Sequence, residues 1–182
     1  MTNAMKNNNL VHIHEAGHAV AALHFGVSFK SVDIIPEYIY HVPGHSSGGL
    51  RRCELSFIER SYADGIEPSI EGYFKRDCII LMAGIVCEAK YKNKKFILCP
   101  DMIIDDGMSD LQSISELSKI AICNDTDVIG AYMNYVASLT VFLFNGNPGL
   151  WQVCKEIATK LLSRKSLTHK ECLRIYNEIL NL

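Results

Sequence analysis

Apolar residues near the start of the chain recur every three to four positions, which is the spacing of one face of an α-helix. The residues on this face are Val11, His14, His18, Phe25 and one of Ala21 and Ala22. Gly26 follows at the place where a residue that ends a helix is expected. The pattern therefore predicts an alanine-rich helix that carries two histidines on its inward face.

The next segments have the composition of a small sheet. Residues Phe29 to Pro36 are rich in β-forming side chains and end at a proline, which predicts a strand. Residues 42–49 contain proline and glycines and predict a turn-rich loop. Beyond the loop, Leu50 to Phe57 is expected to return as a second strand, so that a small sheet lies beside the first helix.

The middle of the chain has helical periodicity. Residues 70–91 predict a helix whose apolar face consists of Phe74, Cys78, Leu81, Met82, Ile85 and Ala89. A second helix is predicted to open at Asp110, and its inward stripe consists of Asp110, Ile114, Leu117 and Ala121. The carboxylate of Asp110 is thus expected on a buried face, at the start of its helix.

The last third of the chain is helical as well. Helices are predicted over 128–144 and 150–163, separated by a strong stop signal over 145–149. The inward positions of the second of these helices are Leu150, Val153, Ile157 and Leu161. Thr168 and Glu171 form a capping box that opens a final helix. The expected fold class is α+β, mainly α with a small β-sheet.

The length of 182 residues is enough for one domain with a substantial core. Residues 1–9 are polar and rich in asparagine, so we expect a disordered tail that is not a signal peptide. Residues 10–182 are expected to form a single domain, with an active-site part over 10–123 and a helical part over 125–182. Hydrophobic residues at 48% and charged residues at 21% are typical of soluble globular proteins.

The charge indicates which partners are expected, and the cysteines indicate the cellular compartment. The net charge is −2 and the richest basic run, over 90–95, is short, so no nucleic-acid partner is expected. The seven cysteines are scattered and contain no C-x-x-C pair. This usage is typical of reduced, mostly buried thiols, and it favours a cytoplasmic location.

The apolar segment over 128–144 just reaches the lower length limit for crossing a bilayer. Asn134, Ser138 and Thr140 interrupt it, and acidic residues precede it closely. A buried or interface helix is therefore the preferred interpretation, and no membrane span is expected. If the helix over 128–144 lies at an interface, the protein can form a homo-oligomer through it.

One short motif combines residue types and spacing that specify a reaction. On a helix, His14 and His18 stack one turn apart on one face, so that both imidazoles can reach one ion. Glu15 lies round the helix from both, where it can accept a proton from water without binding the metal. The motif supplies two metal ligands and a base, and a catalytic zinc site needs one further protein ligand.

Several residues are candidates for that third ligand. Asp110 is one, although Ser109 as an N-cap with Gln112 could equally explain an acid in that first turn. Glu88 is a possible ligand, a helix-surface carboxylate or a partner that orients a histidine. The remaining candidates are the loop histidines His41 and His45, which are more simply explained as solvated side chains.

The order of these motifs resembles the peptidase domain of the FtsH family of AAA proteases. The segments that carry the resemblance are His14 to Val20, then Ile34 to Pro36, then Ala83-Gly84 with Glu88, then Gly107 to Leu111, and finally Leu167-Thr168 with Glu171. They occur in the family's order and span nearly the whole chain. The chain departs from the family at Glu37 and Ile85, where arginine is usual.

The resemblance implies a zincin-like, mostly helical FtsH peptidase architecture. It implies that His14, His18 and Asp110 bind Zn²⁺ and that Glu15 is the catalytic base. The expected activity is that of a zinc-dependent metalloendopeptidase, a hydrolase acting on unstructured polypeptides. An extended substrate is expected to lie along the strand near Val32 to Ile35.

The resemblance does not extend to the family's motor. No G-x-x-x-x-G-K-[ST] segment occurs in these 182 residues, and no membrane anchor is recognised. We therefore expect a peptidase module that acts without ATP by itself, or one fed by a separate AAA ATPase. The alternative is a zinc-binding regulatory or partner-binding module with weak or no catalysis.

Overall fold

A computed structural model of the protein describes residues 10–35, 47–52, 70–96 and 108–182. In these ranges the chain forms six helices and three strands, which agrees with the expected α+β class. The chain divides into two compact units. The first contains Met1–Cys53 and Asn147–Leu182, and the second contains Glu54–Gly146.

The first unit begins with helix α1 (Val11–His24), which confirms the predicted helix. Its alanines and Val20 are fully buried. The helix ends at Gly26, whose φ of 69° lies in the left-handed region that favours glycine. The Val27 N–H donates to the Ala22 carbonyl oxygen at 2.8 Å and closes the last turn.

A three-stranded antiparallel sheet packs beside α1. It consists of β1 (Phe29–Ile35), β2 (Ser47–Arg52) and β3 (Ser166–Thr168), in the order β2-β1-β3. Val32 in β1 pairs with Leu50 in β2 and with Leu167 in β3. The sequence prediction for β1 is confirmed. The prediction for β2 is wrong at its start, because residues 47–49 pair with β1 and do not belong to a loop.

The central position of β1 corrects a second expectation. β1 pairs with β2 on one side and with β3 on the other, and the Ile34 N–H also donates to the Lys165 carbonyl oxygen at 2.7 Å. The sequence suggested that a substrate strand adds to β1. It cannot do so between Ser31 and Ile34, because both edges of β1 are already paired there. The third strand was not foreseen, because only the capping residue at its end carries a local signal.

Helix α5 (Pro148–Arg164) covers α1 and belongs to the same unit. Its four predicted inward residues are all fully buried: Leu150, Val153, Ile157 and Leu161. The side-chain oxygen of Asn147 accepts a hydrogen bond from the Leu150 N–H at 3.2 Å, and Pro148 stands at the start of the helix. Both features are typical of a helix N-terminus. The predicted helix is confirmed, but it starts two residues before the predicted Leu150.

Helix α6 (His169–Leu180) begins with the predicted capping box. Glu171 accepts hydrogen bonds from the Thr168 N–H at 2.9 Å and the Thr168 hydroxyl at 2.8 Å, and it also pairs with Arg164 at 2.6 Å. The Thr168 N–H, the Thr168 hydroxyl and then Arg164 lower the pKa of Glu171 from 4.5 to about 2. The contacts of the Glu171 carboxylate therefore stabilise the fold more when Glu171 is ionised than when it is protonated.

Replacing this cap should change both stability and its dependence on acid. A carboxyl whose pKa is lower in the folded state stabilises above the unfolded pKa, and that stabilisation is lost as the pH falls from about 4.5 to about 2. We expect Thr168→Ala to lower the free energy of unfolding by about 1 kcal/mol at pH 7. The acid dependence should become smaller but not disappear, because the Thr168 N–H and Arg164 remain partners of Glu171. Urea denaturation at several pH values measures both effects.

Thr159 provides a matched control, because its exposed hydroxyl donates only to the Lys155 carbonyl oxygen within α5. Thr159→Ala should leave the acid dependence as it is in the unaltered protein. An identical acid profile for Thr168→Ala and Thr159→Ala would contradict the role assigned to the cap.

The described part of the second unit, over 70–96 and 108–146, contains three helices. They are α2 (Ile70–Tyr91), α3 (Met108–Ala121) and α4 (Thr126–Gly146), and α2 packs against both α3 and α4. The bounds of α2 are those predicted. Of its predicted apolar face, Phe74, Cys78, Met82 and Ile85 are buried, whereas Leu81 and Ala89 are half-buried.

Of the predicted inward stripe of α3, Ile114 is buried as expected, whereas Asp110, Leu117 and Ala121 are only half-buried. Leu111 and Ser118 are also buried. Asp110 is therefore at the edge of the buried face and not at its centre. Because α3 begins at Met108, Asp110 lies in its first turn, where a negative charge is favoured by the helix dipole.

Helix α4 is long and apolar enough to cross a membrane by length and composition, with a mean hydropathy of 1.4 over its best window. One third of that window is buried inside the protein. The buried side faces α2, and Phe74 in α2 stacks on Tyr132 in α4 with ring centroids 5.2 Å apart. α4 is therefore a packed helix with one face in the core of its unit.

The five described cysteines are free thiols, and all but Cys123 are buried. Burial, with the nearby carboxylates of Asp77 and Glu171, raises the pKa of Cys78 and of Cys172 to about 12. The predicted N-terminal tail, His41, His45 and the end of the second strand over 53–57 lie outside the described residues.

Candidate metal centre

The H-E-x-x-H motif lies in the middle of α1, the most buried helix of its unit. The two middle residues of the motif, Ala16 and Gly17, are buried. Because they are small, neighbouring elements can approach the helix closely. α1 packs against α5, β1 and β2. The motif is therefore held on a rigid element whose two flanks are fixed by packing.

The two histidines of the motif stack on one face of α1. Their ring centroids are 4.6 Å apart and the rings meet edge to face at 79°. His18 is 6% exposed, and His14 is half-buried. The i,i+4 spacing thus brings two imidazole nitrogens close to one point, as the sequence predicts for a metal-binding pair.

Glu15 is buried on the same helix, with only 5% of its surface exposed. An ionised carboxylate in such a place needs a positive or hydrogen-bonding partner, because burial of an isolated charge is costly. Glu15 follows His14 directly, so it lies round the helix from the two histidines. This is the position that the motif gives to a catalytic base.

Asp110 completes a group of three residues that could hold a metal ion. One ligand atom from each of His14, His18 and Asp110 lies within 4.8 Å of the others. Of the two candidates within the described residues, Asp110 belongs to this group and Glu88 does not, while His41 and His45 lie outside those residues.

The donor set identifies the kind of metal that the group suits. Two imidazoles and one carboxylate suit zinc and related transition ions, whereas magnesium and calcium prefer oxygen donors throughout. Among the described residues the group contains three protein ligands. Catalytic zinc sites use three protein ligands with water in the fourth position, whereas structural sites use four.

The other acidic candidate and the capping residues have different surroundings. Glu88 is half-buried near the end of α2 and pairs with Lys92, just beyond the helix, at 3.6 Å. The proposed capping box of Ser109 and Gln112 is wrong, because Ser109 lies within α3 and not before it. The Gln112 amide instead donates to Glu116 at 2.9 Å.

The remaining described histidines have other surroundings. Burial and the positive charge of Lys165 lower the pKa of His12, and burial lowers the pKa of His24. The Tyr176 hydroxyl lies 3.5 Å from the Nδ1 atom of His24. His169 packs edge-on against Phe29 with ring centroids 4.7 Å apart. These residues stabilise the first unit and are not members of the metal-binding group.

Comparisons with known proteins add no family assignment. No family model matches the chain, and none of the curated proteins matches it significantly. The functional argument therefore depends on the geometry of the three ligand-type residues and on the chemistry of Glu15.

Proposed function

We propose that this protein is a zinc-dependent endopeptidase that hydrolyses peptide bonds in unstructured polypeptides, with the zincin-like architecture of an FtsH-type peptidase domain. The observation that carries the proposal is the group of His14, His18 and Asp110, whose ligand atoms lie within 4.8 Å of one another. Glu15 follows the first ligand directly and is buried beside it. This is the combination of ligands and base that metal-assisted hydrolysis requires.

The metal and the residues of the chain have different roles in the proposed reaction. A zinc ion, when bound, would polarise the scissile carbonyl and lower the pKa of a water molecule towards about 7. Glu15 accepts the proton of the attacking water and delivers it to the nitrogen of the leaving amine. Burial of Glu15 excludes bulk water from this proton transfer and keeps the carboxylate at a fixed distance from the ligand pair.

The sheet supplies a place for an extended substrate. Because β1 has neighbours on both sides, a peptide strand must add to an outer strand. β2 contains six residues and packs against α1, whereas β3 contains only three. Within the described part of the chain the outer edge of β2 is not paired, so β2 is the strand that a peptide main chain can extend.

The proposal requires that activity follow the metal. We expect hydrolysis of unfolded casein to stop when a chelator removes the metal and to return with one equivalent of Zn²⁺ but not with Mg²⁺. Release of soluble peptides measures the activity, and elemental analysis of the same samples measures bound metal.

Two results would contradict the proposal. Hydrolysis that continues in metal-free protein would exclude a metal-dependent reaction. Stoichiometric zinc without any hydrolysis would instead support the regulatory or partner-binding alternative. The chelated sample also needs an unchanged circular dichroism spectrum, so that loss of activity reports on the metal and not on unfolding.

A further inference from the structure

A second surface of the molecule, distinct from the metal centre, has an unusual composition. One face of α4 is exposed along its whole length. We call it the α4 stripe, and its members are Val128, Ala131, Tyr135, Ser138, Phe142 and Asn145. Phe142 is 75% exposed, Tyr135 49% and Val128 44%. No charged residue occurs from position 128 to position 145.

An exposed helix face in water normally carries charged side chains, since these keep it solvated. The opposite face of α4 is already packed in its own unit, with Ile129, Met133, Val136 and Phe144 among its buried residues. The flank of the stripe is also fixed, because Tyr132 stacks on Phe74 at 5.2 Å and lies beside Tyr135. The stripe is thus a preformed apolar surface and not a loosely packed one.

The spacing of the α4 stripe is that of a helix-pairing surface. Its members alternate in steps of three and four residues, the a and d positions of a heptad repeat. Val128, Tyr135 and Phe142 are the large members. The small or polar members between them are Ala131, Ser138 and Asn145. Such an alternation lets two surfaces interdigitate if large residues of one meet small residues of the other.

We propose that the α4 stripe binds the α4 stripe of a second copy of this chain, antiparallel, about a two-fold axis between positions 136 and 137. In this register position 128 faces position 145, position 131 faces position 142, and position 135 faces position 138. Every large residue then faces a small or polar one, and the surface is complementary to itself, as a two-fold interface requires.

Charges at the two ends of α4 favour the same orientation. Asp125 and Asp127 are exposed at its N-terminus. At the other end, the Lys90 amine donates to the side-chain oxygen of Asn145 at 2.5 Å. An antiparallel pair places the lysine of each copy beside the aspartates of the other, whereas a parallel pair places like charges together. The helix dipoles also oppose each other favourably in the antiparallel arrangement.

The dimer can be tested with the full chain by sedimentation velocity. One helix face is a small interface, so we expect a dimer with a dissociation constant of about 10 μM. Phe142→Glu should weaken association at least about tenfold, because it places a charge against Ala131 of the second copy. Leu182→Glu is the matched control. Leu182 is 80% exposed and lies outside the stripe, so its replacement should change nothing.

A mixing experiment tests the antiparallel register. Ala131→Lys alone should also be monomeric. In the proposed register, position 131 of each copy faces position 142 of the other, so the dimer contains this contact twice. When the two variants are mixed, one contact pairs the introduced lysine with the introduced glutamate, and the other keeps Ala131 opposite Phe142. The mixture should therefore form a heterodimer, which the parallel arrangement does not allow. Thermal unfolding of each variant should match that of the unaltered protein, because positions 131 and 142 are exposed.

Each contrary outcome is informative. A protein that stays monomeric at about 100 μM, a dimer insensitive to Phe142→Glu, or variants that do not combine would overturn the proposal. A monomer that floats with vesicles of phosphatidylcholine and phosphatidylglycerol would assign the stripe to a membrane surface instead. None of these outcomes depends on zinc, so the dimer and the peptidase proposal can fail separately.

Discussion

Glu15→Gln should retain zinc and lose hydrolysis of unfolded casein by about 10³-fold or more, because general acid and base catalysis of this kind contributes factors of about 10² to 10⁴. Glutamine has nearly the same shape as glutamate, so the buried position on α1 can accommodate it. It cannot accept the proton of the attacking water. The expected result is a protein that folds and binds metal but turns over no substrate.

A matched control separates loss of the base from loss of an acidic residue in general. Glu178 is an exposed carboxylate on α6 that pairs with Arg174 at 3.7 Å, one turn away. Glu178→Gln should therefore hydrolyse casein at the unaltered rate. Cleavage by Glu15→Gln at the rate of this control, in samples with equal zinc content, would exclude Glu15 as the base.

Local signals in the sequence predicted much of the fold. Gly26 ends α1 because its left-handed backbone suits glycine, and Asn147 with Pro148 begins α5. The capping box of Thr168 and Glu171 is present as predicted. Each of these boundaries depends on residues only a few positions apart, and the sequence therefore carries the whole of the information.

Long-range pairing is where sequence reasoning failed. Gly48 and Gly49 have the composition of a turn, yet they belong to β2 because β1 supplies hydrogen-bonding partners for their backbone. β3 has only three residues and pairs with β1 from the far end of the chain. No local pattern marks such pairings, and this is why β1 was expected to have a free edge for substrate.

The candidate site also contains residues that local signals predicted and a residue that they did not. His14 and His18 share a helix face by spacing alone, so the pair could be predicted from the motif. Periodicity placed Asp110 on the inward face of its helix but could not identify it as a metal ligand. On the helix pattern it was as well explained by a cap, and only the resemblance to the FtsH family favoured it as a ligand. At the start of α3, Leu111 and not Asp110 is fully buried, although Ile114 of the predicted inward stripe is buried as expected.

Asp110 is therefore the residue whose replacement tests the account most strongly. Removing a group that only supports a ligand already costs about 10- to 100-fold in metal affinity, so loss of a direct ligand should cost at least about 100-fold. We expect Asp110→Ala to lose zinc affinity by at least this factor and to lose hydrolysis with it. The fold should persist, because Asp110 is half-buried at the start of α3.

Glu88→Ala is the matched control, because Glu88 is the other helix carboxylate that the sequence offered as a ligand. It pairs with Lys92 at 3.6 Å, and an ion pair that water reaches contributes little to stability. This variant should bind zinc as the unaltered protein does.

The decisive measurement is zinc affinity by competition with a chelating indicator, made on the unaltered protein, Asp110→Ala and Glu88→Ala under the same conditions. We predict one zinc ion per chain in the unaltered protein and in Glu88→Ala, and affinity at least about 100-fold weaker in Asp110→Ala. Equal affinity in Asp110→Ala and the unaltered protein would contradict the three-residue metal centre, and with it the proposed hydrolase.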